Sequence, residues 1–269
     1  MGDEYIQINI LKLDTKLLSF TKPRLNKSGI GKTVNILYDG KIPIVKLPKM
    51  TLPFGAGVGV FDKEGTEKKT NYSLDPSLDN LNENSPLIPV FKKFEEIDDV
   101  IMKEGIKNKK DWLSKPKASD ELIKDLYKPL IKTAKDKEGN PKPYPSRIKL
   151  NLYEDKGRFR NFKLFDEKAK EINLTTDNWT SVVEKRDSIM TAVTMNRVWC
   201  SVTTGFGVTL EVNQARLFKS KNSLSNCILD NSDDEDSEKE QSSAKTAALA
   251  ALDLEDEDIS DESDVSDEE

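Results

Sequence analysis

Two-residue alternation of apolar side chains, rather than the three-to-four-residue spacing of helices, governs both ends of the first 220 residues of this chain. Near the start lie "YIQINILKL", "TVNILYD", "KIPIVKL" and "GVGVF", separated by "KSGIGK", "DGK" and "PFGAG". These are short strands joined by glycine and proline turns. After the turn "GNPKPYP" the pattern returns in "SRIKLNLY", "RFRNFKLF", "SIMTAVTMNRVWCSV" and "FGVTLEVNQARLF". Between the two blocks Val90, Phe91, Phe94, Ile97 and Ile101 fall at helical spacing, which predicts a helix over about 88–104 ending near Gly105. A second helix opens at Ser119 as N-cap, with Leu122, Ile123 and Leu126 on one face before Pro129. Strands at both ends with helices between them predict a mainly β fold, β with inserted α. That pattern is a barrel interrupted over about 86–135, rather than two domains.

The C-terminal segment beyond the barrel cannot belong to its core. The 269-residue chain carries a formal net charge of -6, but residues 230–269 hold 18 acidic and two basic side chains, a net of -16. The preceding 229 residues are therefore basic, at +10. The stretch "DLEDEDISDESDVSDEE" offers too little apolar surface to offset the entropy of ordering it, so residues 229–269 are expected to be a disordered acidic tail on a folded unit of residues 1–228. A basic body joined to an acidic tail points to a polyanionic partner. Charge alone leaves a soluble domain with a solvating tail equally open.

Composition removes several chemistries. With no histidine, Ser-His-Asp and Cys-His nucleophile systems and most zinc sites are excluded. Two cysteines, Cys200 and Cys227, make no disulfide framework. No apolar run reaches membrane-spanning length, and "MGDEYIQINI" lacks the basic start and apolar core of a secretory signal, so a soluble intracellular protein is expected. "SGIGKT" resembles the end of a phosphate-binding loop, yet Asn26 stands where the first glycine belongs and a strand follows where a helix is needed. "GAGVGV" likewise precedes no helix. Glu95, Glu96, Asp98 and Asp99 share one predicted helix and are read as its solvated face rather than a metal site. No cofactor, metal or catalytic residue is expected.

The stretch 147–165, "RIKLNLYEDKGRFRNFKLF", does carry a signal. Alternation places Arg147, Lys149, Asn151 and Tyr153 opposite Ile148, Leu150 and Leu152, with a turn over Glu154–Gly157. On the predicted return strand Arg158, Arg160 and Phe162 share one face, and Phe159, Lys163 and Phe165 the other. Cations interleaved with aromatics offer what single-stranded nucleic acid requires, charge for phosphates and ring faces for bases. Phe162 is alternatively a core residue, with the arginines merely solvated. Further on, Arg197, Trp199 and Ser201 share a face, leaving Trp199 as either a second stacking platform or a part-buried barrel tryptophan. In "FGVTLEV", Phe206, Val208, Leu210 and Val212 face the core.

With those residues placed, "KLPKMTLPFGAGV" (46–58), "YPSRIKLNLYEDKGRFRNFKLFD" (144–166) and "VWCSVTTGFGVTLEVNQARLF" (198–218) together resemble the single-stranded-DNA-binding proteins of nucleocytoplasmic large DNA viruses, a family similar to the OB-fold binders of short-tailed phages. The resemblance spans roughly residues 30–269. It implies an OB-fold-like barrel, no enzymatic activity, and a coat on single-stranded DNA in viral replication, recombination and repair, in the host nucleus or cytoplasm. It also implies a possible homodimer. Lys49 and Phe54 join Arg147, Lys149, Tyr153, Arg158, Arg160, Phe162, Lys163, Arg197 and Trp199 as expected nucleic-acid contacts. The tail, through Asp256, Glu257, Asp258, Asp267, Glu268 and Glu269, is expected to recruit replication proteins such as a polymerase or helicase-primase. Phage members end on an aromatic residue, whereas this chain ends in "SDEE". Two other classes stay open: an acidic-tailed chaperone for histones or other basic proteins, and a virion structural protein.

Overall fold

A computed structural model describes residues 4–220, apart from 27, 28, 30, 62–68, 79–84, 141 and 143. The acidic segment, its six carboxylates assigned to partners, and Cys227 lie outside the described residues. The chain opens with β1 (Tyr5–Asn9), two short 3-10 turns, β2 (Leu18–Phe20) and β3 (Arg24–Leu25). Next come β4 (Lys32–Tyr38), β5 (Ile42–Lys46), β6 (Met50–Thr51), β7 (Ala56–Phe61) and β8 (Lys69–Leu74). Strand β4 begins inside "SGIGKT", at Lys32, and β7 occupies most of "GAGVGV", so neither glycine run leads into a helix.

Three helices follow β8: α1 (Ile88–Lys107), α2 (Lys109–Leu113) and α3 (Asp120–Asp125). Helix α3 is capped as expected, Ser119 Oγ accepting from the Leu122 N–H at 3.2 Å. Helix α1 runs past its predicted end because Gly105 does not terminate it. A Cβ at Gly105 would lie 2.3 Å from the Phe206 ring, so this glycine sits inside the helix to let the aromatic approach. Asp98 also departs from expectation. It lies one turn beyond Phe94 on the buried side and is only 9% exposed, so the solvated-face reading fails for it.

The second β block contains short pieces, β9 (Tyr127–Lys128), β10 (Ile131–Lys132), β11 (Arg147–Ile148), β12 (Leu150–Leu152), β13 (Glu154–Asp155), β14 (Arg158–Phe159), β15 (Lys163–Phe165) and β16 (Glu171–Ile172). After α4 (Trp179–Val182) come two long strands, β17 (Ser188–Ser201) and β18 (Gly205–Phe218). The result is mainly β with inserted α, an OB-like curled sheet running β1-β5-β17-β18-β12-β8-β7. Register shifts between Ala192 and Val193 and between Thr194 and Arg197 mark bulges in the β17–β18 ribbon. They bend it so that β17 pairs with β5 and β6 along one half and with β4 along the other. Its inner face buries Val34, Ile36, Val198, Phe206, Leu210 and Val212. Helix α1 packs on that face at Phe206. No helix among the described residues is long and apolar enough to cross a membrane.

Candidate nucleic-acid interface

Directly opposed residues on neighbouring strands share a sheet face, and one such row crosses five strands. Arg24 on β3 opposes Thr33 on β4, Thr33 opposes Trp199 on β17, Trp199 opposes Gly207 on β18, and Gly207 opposes Lys128 on β9. At about 4.8 Å per strand the row spans roughly 19 Å. Alternation turns Trp199 away from the core that buries Val198 and Cys200, yet it is half-buried, as the barrel-tryptophan alternative expected. Gly207 leaves room for the indole: a Cβ there would come 3.1 Å from Trp199 Cζ2, 3.2 Å from Lys128 Cβ and 2.8 Å from the Lys128 carbonyl oxygen. Trp199 and Lys128 thus meet across a bare patch of backbone. On the other side of this edge, where Leu25 and Lys32 oppose one another and Lys32 opposes Cys200, a groove is lined by Lys22, Pro23, Leu25, Lys32, Lys110 and Asp111.

Two residues along β17, Arg197 opposes Thr209 on β18 and Asn35 on β4, on the same face and exposed. Glu211 lies between two arginines. Burial pushes its carboxyl up, and the charges of Arg197 and Arg160 pull it back down. Arg160 reaches this face from the loop after β14, where its N–H donates to the Tyr153 carbonyl at 2.7 Å and its guanidinium lies 5.8 Å from the Tyr153 ring centroid. Arg160, with Tyr153, and Arg197 therefore both act on Glu211, and Arg197 stands two residues along β17 from Trp199.

A second aromatic and cationic patch forms around Phe54, which is 57% exposed. Its loop is fixed by Gly55, whose φ is +72° and whose Cβ would stand 2.7 Å from the Glu184 and Lys185 backbone. The Arg147 guanidinium lies 5.2 Å from the Phe54 ring centroid and 3.5 Å from Asp75 Oδ2. Burial pushes the Asp75 carboxyl up against the pull of Arg147, the Ser73 hydroxyl, Lys149 and Lys132. Its Oδ1 is buried without a hydrogen-bond partner. A largely buried carboxylate thus gathers three cations beside one exposed ring.

The predicted two-stranded platform over 147–165 is not formed. Only β13 and β14 pair as a hairpin, turning at Lys156 and Gly157 with φ of +52° and +78°. Strand β12 instead runs parallel to β18 and antiparallel to β8, while β15 pairs in parallel with β18 farther along and antiparallel with β16. A long strand offers more backbone partners than a three-residue neighbour, so both short strands dock on β18. Phe162 consequently leaves the predicted arginine face. It is half-buried, edge-on to Phe159 at 6.0 Å and to Trp179 at 6.4 Å, the core position recognised as its alternative. Arg158 is exposed in the hairpin. Lys163 pairs with Glu171 at 3.0 Å, and Lys49 covers the Phe218 ring at 4.2 Å, toward the far end of the ribbon from Trp199.

Sequence reading missed Arg24, Lys128 and Lys132. Each occupies a two-residue strand too short for a periodic signal. Cys200 is a core residue whose thiol burial pushes up to about 12, consistent with no reactive role.

The chain matches no protein-family model and no curated protein. Among solved structures it is similar to gp2.5, a single-stranded DNA binding protein encoded by bacteriophage T7, with 12% identity over 70% of this chain and 98% of that one at a TM-score of 0.36. It is also similar to the single-stranded DNA-binding protein from bacteriophage Enc34, with 13% identity over 80% of this chain and 97% of that one at a TM-score of 0.35. The same Enc34 protein in complex with single-stranded DNA gives 12% identity, 76% and 96% coverage, and a TM-score of 0.33.

Proposed function

We propose that this protein binds single-stranded DNA with little regard to sequence, neutralising phosphates with Lys and Arg and stacking bases on aromatic rings. The observation that supports it is the row in which a half-buried Trp199 lies over Gly207 between Arg24 and Lys128, with the exposed Arg197 beside it. A base has a ring to stack on and its flanking phosphates have cations on both sides. Phe54 with Arg147 and Lys149 supplies a second platform, and Tyr153 with Arg160 a third contact. Such a coat serves viral replication, recombination and repair, the setting the sequence resemblance implies, and needs neither cofactor nor catalytic residue.

The -16 segment completes the reading. It competes for the cationic face when no strand is bound, and is displaced by the denser charge of DNA. Once displaced, it is free for basic patches on replication proteins. Ser232, Ser260, Ser263 and Ser266 each precede an acidic residue, and phosphate there strengthens the competition.

Titration of the full chain with poly-dT at two salt concentrations tests this. Affinity should fall with salt at a log–log slope of about 0.7 per phosphate neutralised. A protein that ignores poly-dT in dilute buffer refutes the proposal. A chaperone of basic proteins would bind through the tail alone, whereas a strand binder keeps its poly-dT affinity in a chain ending at residue 229.

A further inference from the structure

The helical insertion ends in a strap, Tyr127–Lys132, that crosses from one cationic patch to the other. Its first part, β9, runs parallel to β18 and sets Lys128 opposite Gly207, with its Cβ beside the Trp199 indole. Its last part, β10, leaves β18 and pairs antiparallel with β11, setting Lys132 opposite Arg147. Two fastenings hold it. On the sheet side the Phe206 N–H donates to the Leu126 carbonyl at 3.1 Å, an approach that only Gly205 permits, since its φ is +103° and a Cβ there would lie 2.0 Å from that oxygen. On the helix side stands Asp98. Its Oδ1 accepts from the Tyr127 hydroxyl, and its two oxygens lie 3.0 and 3.1 Å from the Leu130 N–H.

Asp98 lies in a helix otherwise anchored by Val90, Phe94, Ile97 and Ile101, apolar contacts sufficient to seat α1. A buried carboxylate there is costly unless its partners recover the desolvation. Its hydrogen-bond partners, Tyr127, Leu130 and Ile131, all belong to the strap. A hydrophobic residue at position 98 would pack the helix but leave the Tyr127 O–H and Leu130 N–H without acceptors.

Taking the single-strand reading as its basis, we propose that Asp98 is a positioning residue: through Tyr127 and Leu130 it holds the strap so that Lys128 and Lys132 both line the DNA-binding face and join its two aromatic patches. The insertion is then part of the binding apparatus. The charge of Lys132 is felt at the Asp75 and Asp98 carboxylates, and an arriving phosphate adds a third anion to a site whose other cations are Arg147 and Lys149.

The experiment measures binding of a dT oligonucleotide by the full chain across a salt series, for the wild type, Asp98→Ala, Tyr127→Phe, Lys128→Ala/Lys132→Ala and the triple variant with Asp98→Ala. The double lysine variant should lower the log–log salt slope by about 1.4, two phosphates at about 0.7 each. Asp98→Ala should lower it by a similar amount, and the triple variant no further than the double. Tyr127→Phe keeps its ring on Phe206 and loses only the O–H; it should move the slope in the same direction, which decides the matter if Asp98→Ala fails to fold. Variants that melt at lower temperature yet keep the wild-type slope overturn the positioning role, as does an Asp98→Ala loss that adds to that of the lysines. A wild type that binds no dT removes the single-strand reading itself, a different result from a wild type that binds while its variants keep its slope.

Discussion

Replacing Trp199 separates stacking from charge. Of the three tryptophans, Trp112 is 2% and Trp179 0% exposed, and the Trp179 indole N–H donates to the Gly57 carbonyl at 3.2 Å. Trp199 alone of the three is part-exposed. Intrinsic fluorescence should therefore be quenched by dT in the wild type, and the quench should vanish in Trp199→Phe although that protein still binds. Trp199→Ala removes the platform. One stacked base is worth about 1–3 kcal/mol, so Kd should rise roughly 5- to 150-fold. The salt slope should not change, because an indole neutralises no phosphate, whereas Arg197→Ala should lower it by about 0.7. Trp199 is half-buried over Gly207, so Trp199→Ala should also lower the urea midpoint, whereas Trp199→Phe keeps most of the packing. Anisotropy of a labelled dT oligonucleotide, run beside the tryptophan signal, measures both quantities. Quenching that persists in Trp199→Phe, or wild-type affinity in Trp199→Ala, would refute the row as the binding surface.

Neighbouring groups carry further expectations. Glu211→Gln removes the carboxyl between Arg160 and Arg197 and should tighten dT binding roughly two- to fivefold at low salt, read in the same anisotropy assay. Gly105→Ala forces a methyl to 2.3 Å from the Phe206 ring and should destabilise the fold by about 1–3 kcal/mol, seen as a lower urea midpoint. Deleting residues 230–269 should tighten dT binding; equal affinity with and without them would end the competition argument. Burial raises the Asp98 carboxyl from 3.8 to about 6, against the pull of the Tyr127 hydroxyl, the Leu130 and Ile131 N–H groups and Lys132. The folded state therefore binds this proton more tightly than the unfolded one. The stability it contributes is full below about pH 4, is lost as pH rises through 6, and is then level, a change of about 3 kcal/mol. Urea midpoints at pH 4.5 and 7 should differ less in Asp98→Asn than in the wild type.

How far these features could be read in advance depended on their length. Period-two runs placed β4, β5, β17 and β18 because each carries several alternating pairs, and they correctly turned Val198, Phe206, Leu210 and Val212 inward. Apolar spacing found α1, and a serine cap found α3. Gly105 was misjudged because a glycine that ends a helix and one that admits a ring from a distant strand look alike in sequence. The platform over 147–165 failed for a related reason. Alternation fixes which way a side chain points along one strand but not which strand lies beside it, and β18 captured both halves of the expected hairpin.

The candidate site is still harder to read, because its residues come together only through register. Arg24, Trp199 and Lys128 belong to three distant segments, and two of them sit in strands of two residues. Their alignment depends on the bulges that let one long strand pair successively with β5 and β4, and on Gly205 and Gly207, which admit the strap and the indole. No local pattern encodes that convergence. Yet it leaves a trace in residue type: a glycine pair flanking the buried Phe206, opposite a tryptophan, breaks β propensity in the middle of the sheet. Strand residues are glycine where another group must come close, and here those groups are the Leu126 carbonyl at Gly205 and a lysine and an indole at Gly207.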